Sequence, residues 1–343
     1  MTTQNDKLDF AALLPSVGVF GGVRRFIEIG NELVRRGHAY TIYHPQGSPP
    51  DWLCFDGEVR STTQLVAARH QILLCNDPPS LDLFEKASAD LKCFYFALEN
   101  TPGEKSIAQH HDWVILANST GMHNRLTRRY GGVVEKVIGG INLDVFKPDP
   151  TVERSANEYR VLTFGRFSRR KKGASIAVRA TESFARSAER TTGRRVKLVL
   201  FDHLGHHNEQ DPREEIKCSI PYEFHIDLTQ EELSALYSGC DVFISAEKRA
   251  GWANTTAEAM ACGVPVVCTR SGTLDLATHM ETAWVTRWRH AYFLSRGLRA
   301  LRGNAALAER LSDNARTRIE DFSWSRVVDQ LEEVVRRRLV LSP

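Results

Sequence analysis

No stretch of the sequence approaches the roughly 20 consecutive apolar residues that a membrane-spanning helix needs, so a spanning segment is not expected. The opening MTTQNDKLDF is polar and partly acidic, unlike a secretory signal, and the expectation is a cytosolic protein. No C-x-x-C pair occurs. The seven cysteines (Cys54, Cys75, Cys93, Cys218, Cys240, Cys262 and Cys268) stand singly, most of them in apolar runs, and read as reduced core residues. There is no convincing Asp-x-Asp pair to carry a divalent ion, and His203, His206 and His207 lack a suitably spaced carboxylate, so no metal is expected. Repeats and low-complexity segments are absent as well. A net charge of +3 implies no nucleic-acid partner.

What is present suits two α/β domains. The 343 residues are too many for one small domain, and 42% apolar residues suffice for two cores of about 150 residues each. Positive charge gathers at Arg24-Arg25, Arg35-Arg36, Arg125 with Arg128-Arg129, Arg169 to Lys172 and Arg336 to Arg338. Such groups are usually solvated helix faces; the other readings are an anionic substrate or peripheral contact of the basic N-terminal helices with an acidic membrane surface.

The most informative stretch is LYSGCDVFISAEKRAGWANTTAEAMACGVPVVCT, Leu236 to Thr269. It reads as a strand (Asp241 to Ser245), a loop, a helix (about Thr255 to Cys262) and a second strand (Val264 to Thr269). The loop carries Gly251, Trp252, Asn254, Thr255 and Thr256 and leaves the first N–H groups of the helix free to face an anion such as phosphate. Glu258 follows at the same exposed mouth, either to accept from sugar hydroxyls or to cap the helix dipole.

EAMACGVPVV after a short strand and loop resembles the nucleotide-sugar site of retaining glycosyltransferases of the GT-B fold, glycosyltransferase family four. The resemblance implies two Rossmann-like doubly wound domains with a cleft between them, and a metal-independent enzyme without cofactor. Such an enzyme moves a sugar from a nucleotide diphosphate to a carbohydrate or lipid-linked acceptor, in surface polysaccharide or glycolipid synthesis. The family signature is a pair of Glu residues separated by seven others. Here Glu258 is the second and is expected to hold the ribose; Ala250 stands where the first would hold the donor sugar, and Glu247 is the nearby carboxylate that could reach in. A catalytically weak or inactive nucleotide-sugar binder of the same fold is the alternative that Ala250 keeps open.

In the N-terminal half, AALLPSVGVFGGVRRFIEIGNELVRRGHAYTIYHP reads as strand, Gly-rich turn, amphipathic helix and strand. Gly21 and Gly22 bring the backbone close to whatever lies above the sheet, and GGV-R is similar to the family's first loop on the acceptor side of the cleft. QILLCNDPP, KCFYFALEN and DWVILANST are strands whose ends gather Asn76, Asp77, Glu99, Asn100 and Asn118 to Thr120 at the ligand-binding edge of an open sheet. Glu99 stands where many relatives carry His. The segment EKVIGGINLDVFKP reads as a strand followed by the family's usual connection. The expected division is residues 1–150 as the acceptor-binding domain, 151–323 as the nucleotide-sugar-binding domain, and 324–343 as a helix returning to the first.

The second domain opens with YRVLTFGRFSRRKKGASIAVRATESFAR, a strand, a turn and a helix, with Arg166 and Lys172 flanking the turn. These cations suit a diphosphate, or SRRKKG is a solvated basic loop. The resemblance favours the first, because Arg166 and Lys172 match the family's Arg after the first Gly and Lys before the next. They are then the catalytic cations that stabilise the leaving diphosphate. A nicotinamide oxidoreductase is disfavoured, since neither GVFGGV nor FGRFSRRKKG fits the dinucleotide fingerprint.

Overall fold

The computed structural model describes residues 7–188, 193–204 and 211–341. His206 and His207 lie outside the described residues. The chain divides into two compact units, one running to Gly140 and resuming at Trp324, the other spanning Ile141–Ser323.

The first unit alternates strand and helix: β1 (Asp9–Leu13), α1 (Gly21–Arg35), β2 (Ala39–His44), β3 (Glu58–Ser61), α2 (Thr62–Leu65), β4 (Arg69–Cys75), α3 (Leu81–Lys86), β5 (Ser88–Phe96), α4 (Glu104–Ala108), β6 (Trp113–Ala117), α5 (Thr120–Tyr130) and β7 (Val134–Lys136). The strands form one parallel sheet in the order β3-β2-β1-β4-β5-β6-β7. Both faces are covered, which is why the strands read as continuous apolar runs. Phe10 and Ala12 of β1 join one core with Phe26, Ile29 and Leu33 of α1. Ala11 and Leu13 point into the other with Phe84, Ile107 and Leu126. Each fully buried Leu or Phe contributes about 1.5–3 kcal/mol, so β1 is anchored in both cores.

The second unit contains β8 (Glu158–Phe164), α6 (Ala174–Ala188), β9 (Arg195–Asp202), β10 (Tyr222–Ile226), α7 (Gln230–Ser238), β11 (Val242–Ser245), α8 (Asn254–Ala261), β12 (Val266–Thr269), β13 (Trp284–Thr286), α9 (Ala291–Gly303) and α10 (Ala305–Ile319). Its parallel sheet runs β10-β9-β8-β11-β12-β13. Val161 of β8, Val242 and Ile244 of β11, Ala180 and Phe184 of α6 and Leu294, Leu298 and Leu301 of α9 share one core. A capping box at Thr229 and Glu232 starts α7, which delivers Tyr237 beneath α8.

The last helix, α11 (Trp324–Leu341), belongs to the first unit. Its Val327, Val328, Leu331 and Val335 complete the α1 face of that core. Arg36, just past the end of α1, reaches Asp329 (2.8 Å) and Glu332 (2.5 Å) of α11.

Several boundaries differ from those expected. The first division between units falls at Gly140 rather than near residue 150, because the backbone N–H of Ile141 bonds to Phe322 (3.1 Å) and Phe146 packs on Tyr237. β7 stops at Lys136: the N–H of Ile138 goes to Gln330 of α11 (2.8 Å), and the Val137 carbonyl accepts from the Tyr95 hydroxyl. β5 ends at Phe96, and the short edge strands β3 and β13 carry too few apolar residues to stand out in the sequence. Five cysteines are buried, with Cys75, Cys93, Cys240, Cys262 and Cys268 pushed up to about 12 by burial. The expectation of core residues fails for Cys54, which is exposed, and for the half-buried Cys218.

The solvated-face reading fits Arg35, Arg128, Arg129, Arg170 and Lys171, which are exposed, but not the following cations. Arg25 is buried, donates to the Tyr95 hydroxyl (2.9 Å) and lies over the Tyr95 and Trp324 rings. Arg125 pairs with Glu104 (2.7 Å), and Arg337 and Arg338 pair with Glu135 (2.8 and 2.7 Å). These cations hold elements together, because each has a carboxylate or a ring within reach.

Candidate functional site

In an open parallel sheet, ligands bind outside the carboxyl ends of the strands where the winding direction reverses. In the second unit that place lies between β8 and β11. The loop after β8 carries Arg166 and Lys172, and the loop after β11 carries Glu247, Ala250 and Gly251 before α8 begins at Asn254.

Three of the expected residues meet there. Lys172 Nζ lies 2.6 Å from Glu247 Oε1, and the Thr255 hydroxyl is 3.4 Å from the same oxygen. Glu247 is buried, whereas the Lys172 side chain is 31% exposed, so its ammonium is anchored but open to a ligand. Two bonds to backbone carbonyls hold the loops in place, from the Lys248 N–H to Lys171 (2.8 Å) and from the Arg289 guanidinium to Ala246 (2.5 Å). Gly173 makes that approach possible. Its φ is +76°, and a Cβ there would stand 2.2 Å from the Ala246 carbonyl oxygen, a position only glycine can occupy.

The start of α8 offers two N–H groups to an anion. Those of Asn254 and Thr255 make no hydrogen bond among the described residues. Thr256 differs from expectation: its N–H is taken by the Ala253 carbonyl (3.1 Å) in a tightened first turn, and its side chain is fully buried. The loop is stapled from behind by the Ala253 N–H to Gly272 (3.0 Å) and the Ala250 N–H to the Ser271 hydroxyl (2.9 Å). Gly251 is buried within it.

Other expected residues are placed differently. Glu258 is not at an exposed mouth; it is 3% exposed, one turn into the helix, and its Oε2 accepts from the Tyr237 hydroxyl (3.0 Å). Neither is it a terminal cap, since it lies too deep in α8. Trp252 turns inward against Phe322, with ring centroids 5.2 Å apart. Arg166 is 1% exposed, its Nε donating to Asp202 and its Nη2 to the His203 carbonyl (2.9 Å). It is thus part of the floor of the site, tied to the end of β9. His203 lies 3.1 Å from Asp227, a carboxylate remote in sequence.

In the first unit, the reversal falls between β1 and β4. Gly21 and Gly22 open α1, and a Cβ on Gly22 would meet Asn76 Nδ2 at 3.1 Å, so turn and strand end do approach closely. Glu99 is half-buried after β5, and Asn100 takes a left-handed φ of 56° with its Oδ1 accepting from Arg125 (2.9 Å). Asn118 and Ser119 serve the backbone, the latter capping α5 through the Met122 N–H (3.1 Å).

Sequence reasoning missed Asp202, Tyr237 and Arg289. Asp202 ends an apolar strand, a recognisable signal; Tyr237 and Arg289 carry none, because their partners are remote in sequence.

The fold is shared with solved structures. Sucrose-phosphate synthase from Thermosynechococcus elongatus superposes with a TM-score of 0.78 at 18% identity, covering 98% of this chain and 100% of that one. Anabaena HepE in complex with UDP-glucose gives 0.77 at 17% identity, covering 96% and 100%. The fold is therefore that of the GT-B class, two Rossmann-like units each built on a parallel sheet. Within that class, residues 148–318 match the family described as Glycosyl transferases group 1. A D-inositol 3-phosphate glycosyltransferase of Saccharomonospora viridis is 26% identical over 257 residues, which is 69% of this chain and 58% of the relative. Its counterpart in Pseudarthrobacter chlorophenolicus is 24% identical over 230 residues, 62% and 53% respectively. The aligned region thus spans little more than half the length of these relatives.

Proposed function

We propose that the chain is a retaining glycosyltransferase that moves a sugar from a nucleotide diphosphate to an acceptor hydroxyl without a metal ion. The observation that carries this reading is the junction of Lys172, Glu247 and Thr255 beside the free N–H groups of Asn254 and Thr255. A diphosphate set there meets one ammonium and a helix start, the donors that stabilise charge developing on a leaving phosphate. Arg166 acts by joining the start of its own loop to Asp202 and His203 at the end of β9, and Glu258, oriented by Tyr237, holds the ribose. As the bond from the anomeric carbon to the phosphate oxygen breaks, the acceptor oxygen enters from the same face. Its proton passes to a donor phosphate oxygen, and the anomeric configuration is kept. Glu99, Asn100, Gly21 and Gly22 are assigned to the acceptor.

The HepE complexes with UDP and UDP-glucose make a uridine diphosphate sugar the first donor to try. The acceptor is a carbohydrate or a lipid-linked sugar of surface polysaccharide or glycolipid synthesis. The reaction is placed in the cytoplasm. No helix among the described residues is long and apolar enough to cross a membrane. Peripheral contact through the N-terminal helices would rest chiefly on the exposed Arg128 and Arg129 of α5.

Thermal-shift titration with UDP, GDP, ADP, TDP and CDP, in chelator and then with magnesium, tests the site through binding linkage. A selective rise in chelator supports the proposal, and no rise with any nucleotide removes it. Ala250 favours a second reading, an inactive nucleotide-sugar binder, because it supplies no group to a sugar. Donor turnover with a pool of acceptors separates the two.

A further inference from the structure

The carboxyl edge of the second sheet carries more positive charge than a diphosphate uses. Arg170 and Lys171 follow β8, Lys248 and Arg249 follow β11, Arg270 follows β12, and Arg287 follows β13; all are exposed. None makes an ion pair among the described residues. They are neighbours in space as well as in type. Lys248 N–H bonds to the Lys171 carbonyl (2.8 Å), Arg289 bridges the Ala246 and Arg170 carbonyls (2.5 and 2.8 Å), and Ser271, next to Arg270, accepts from the Ala250 N–H (2.9 Å). Arg289 itself faces carbonyl dipoles rather than a carboxylate, and burial holds its guanidinium below its ordinary value.

The loop from Lys248 to Gly251 lies between the Lys172–Glu247 pair and the start of α8. A diphosphate held by Lys172 and the start of α8 has this loop as its neighbour, since the chain runs from Glu247 through it to α8. A neutral sugar ring presents hydroxyls that are best met by a mixture of donors and acceptors, and carboxylates are the strongest acceptors. The side chains of this loop are Lys248, Arg249 and Ala250, which provide donors alone. Glu247, the one carboxylate in the connection, is 4% exposed and already serves Lys172 and Thr255. Arg249 has a φ of 59°, a conformation that a long side chain adopts only when its surroundings impose it.

We infer that the transferred sugar carries a negative charge of its own, and that the donor is a nucleotide diphosphate hexuronate whose carboxylate is bound by Lys248 and Arg249. This rests on the donor reading proposed above. The carboxylate is acceptor-only, matching a loop that is donor-only, and the unpaired cations around it raise the local concentration of anions.

The test compares UDP-glucose with UDP-glucuronate, and GDP-mannose with GDP-mannuronate, by calorimetry on the full chain. In the base that the protein selects, the hexuronate should bind about tenfold more tightly than the hexose, the effect of one charge-assisted hydrogen bond. That advantage should shrink as salt rises. In the Lys248→Ser/Arg249→Asn double variant the ratio should fall to near unity; Asn tolerates the left-handed backbone at residue 249, so the fold is spared. Equal or tighter binding of the hexose by the unaltered protein overturns the inference while leaving the donor site standing. An advantage that survives in a double variant with a normal melting curve overturns the assignment to Lys248 and Arg249. Failure of every nucleotide to bind removes the donor reading itself.

Discussion

The two sheets share one winding, yet their carboxyl edges have opposite chemistry. In the first unit the connections after β1, β2, β4, β5 and β6 contain no Lys or Arg, only Asp51, Asp56, Asp77 and Glu99 among charged groups. In the second unit the connections after β8, β11 and β13 hold Arg166, Arg169, Arg170, Lys171, Lys172, Lys248, Arg249, Arg287 and Arg289 against Glu247, and those after β10 and β12 add Arg270 with Asp227, Asp275 and Glu281, which leaves the edge basic. Parallel strands with helices on both faces therefore specify where ligands go, and the loops decide which. A neutral or acidic edge suits hydroxyl groups; a basic one suits phosphates.

The sharpest way to break the contrast is to remove the buried cation of the second edge. Arg166→Ala leaves Asp202 uncompensated in the interior, and a loss of about 3–5 kcal/mol is expected, read as a lower denaturation midpoint. Normal stability would show that the pair is not a structural floor.

Lys172→Ala removes the partly exposed cation beside Glu247 at the same edge. Turnover should fall about 100- to 1000-fold with circular dichroism unaltered, since a donor poised for the leaving group is lost. A change below about tenfold would deny Lys172 a place in the reaction.

Matched glycine substitutions then sharpen the comparison. Gly173→Ala forces a Cβ into the Ala246 carbonyl at positive φ, and nucleotide affinity should drop about tenfold or more, with strain of about 1–3 kcal/mol. Gly22→Ala meets only the end of the Asn76 side chain, which can rotate, so affinity should change less than about twofold. Equal effects of the two would show that the second loop is no more constrained than the first.

The smallest effect concerns pH and the first unit alone. Burial pushes the Glu332 carboxyl up, but hydrogen bonds from Arg36 and His38 outweigh it and hold the group below its ordinary value of 4.5. A depressed carboxylate contributes stability that is present above that ordinary value and is lost as pH falls through the folded one. Acid unfolding followed by near-ultraviolet signal should therefore weaken the first unit below about pH 4.5, and Glu332→Gln should flatten that dependence.

The fold was legible because buried parallel strands leave continuous apolar runs and each helix carries a periodic face, as β1 with α1 and β8 with α6 show. Edge strands β3 and β13 were not, since they bury little. Within the candidate site, Arg166, Lys172 and the α8 loop stood out by type and spacing. The depth of each did not: Arg166 and Glu258 are buried and paired with Asp202 and Tyr237, partners 36 and 21 residues away.

By itself, then, the sequence determined the alternation of strands and helices, the cations available to an anion and the lack of a first carboxylate at Ala250. Only the tertiary structure decided that Glu247 clasps Lys172 and that Arg166 is tied to Asp202 at the end of β9. It also decided that Lys171, Lys248 and Arg289 share one edge. The physical reason is that hydrophobic periodicity is a local property, written within one element. The pairing of buried charges, by contrast, depends on which strand ends the sheet brings side by side.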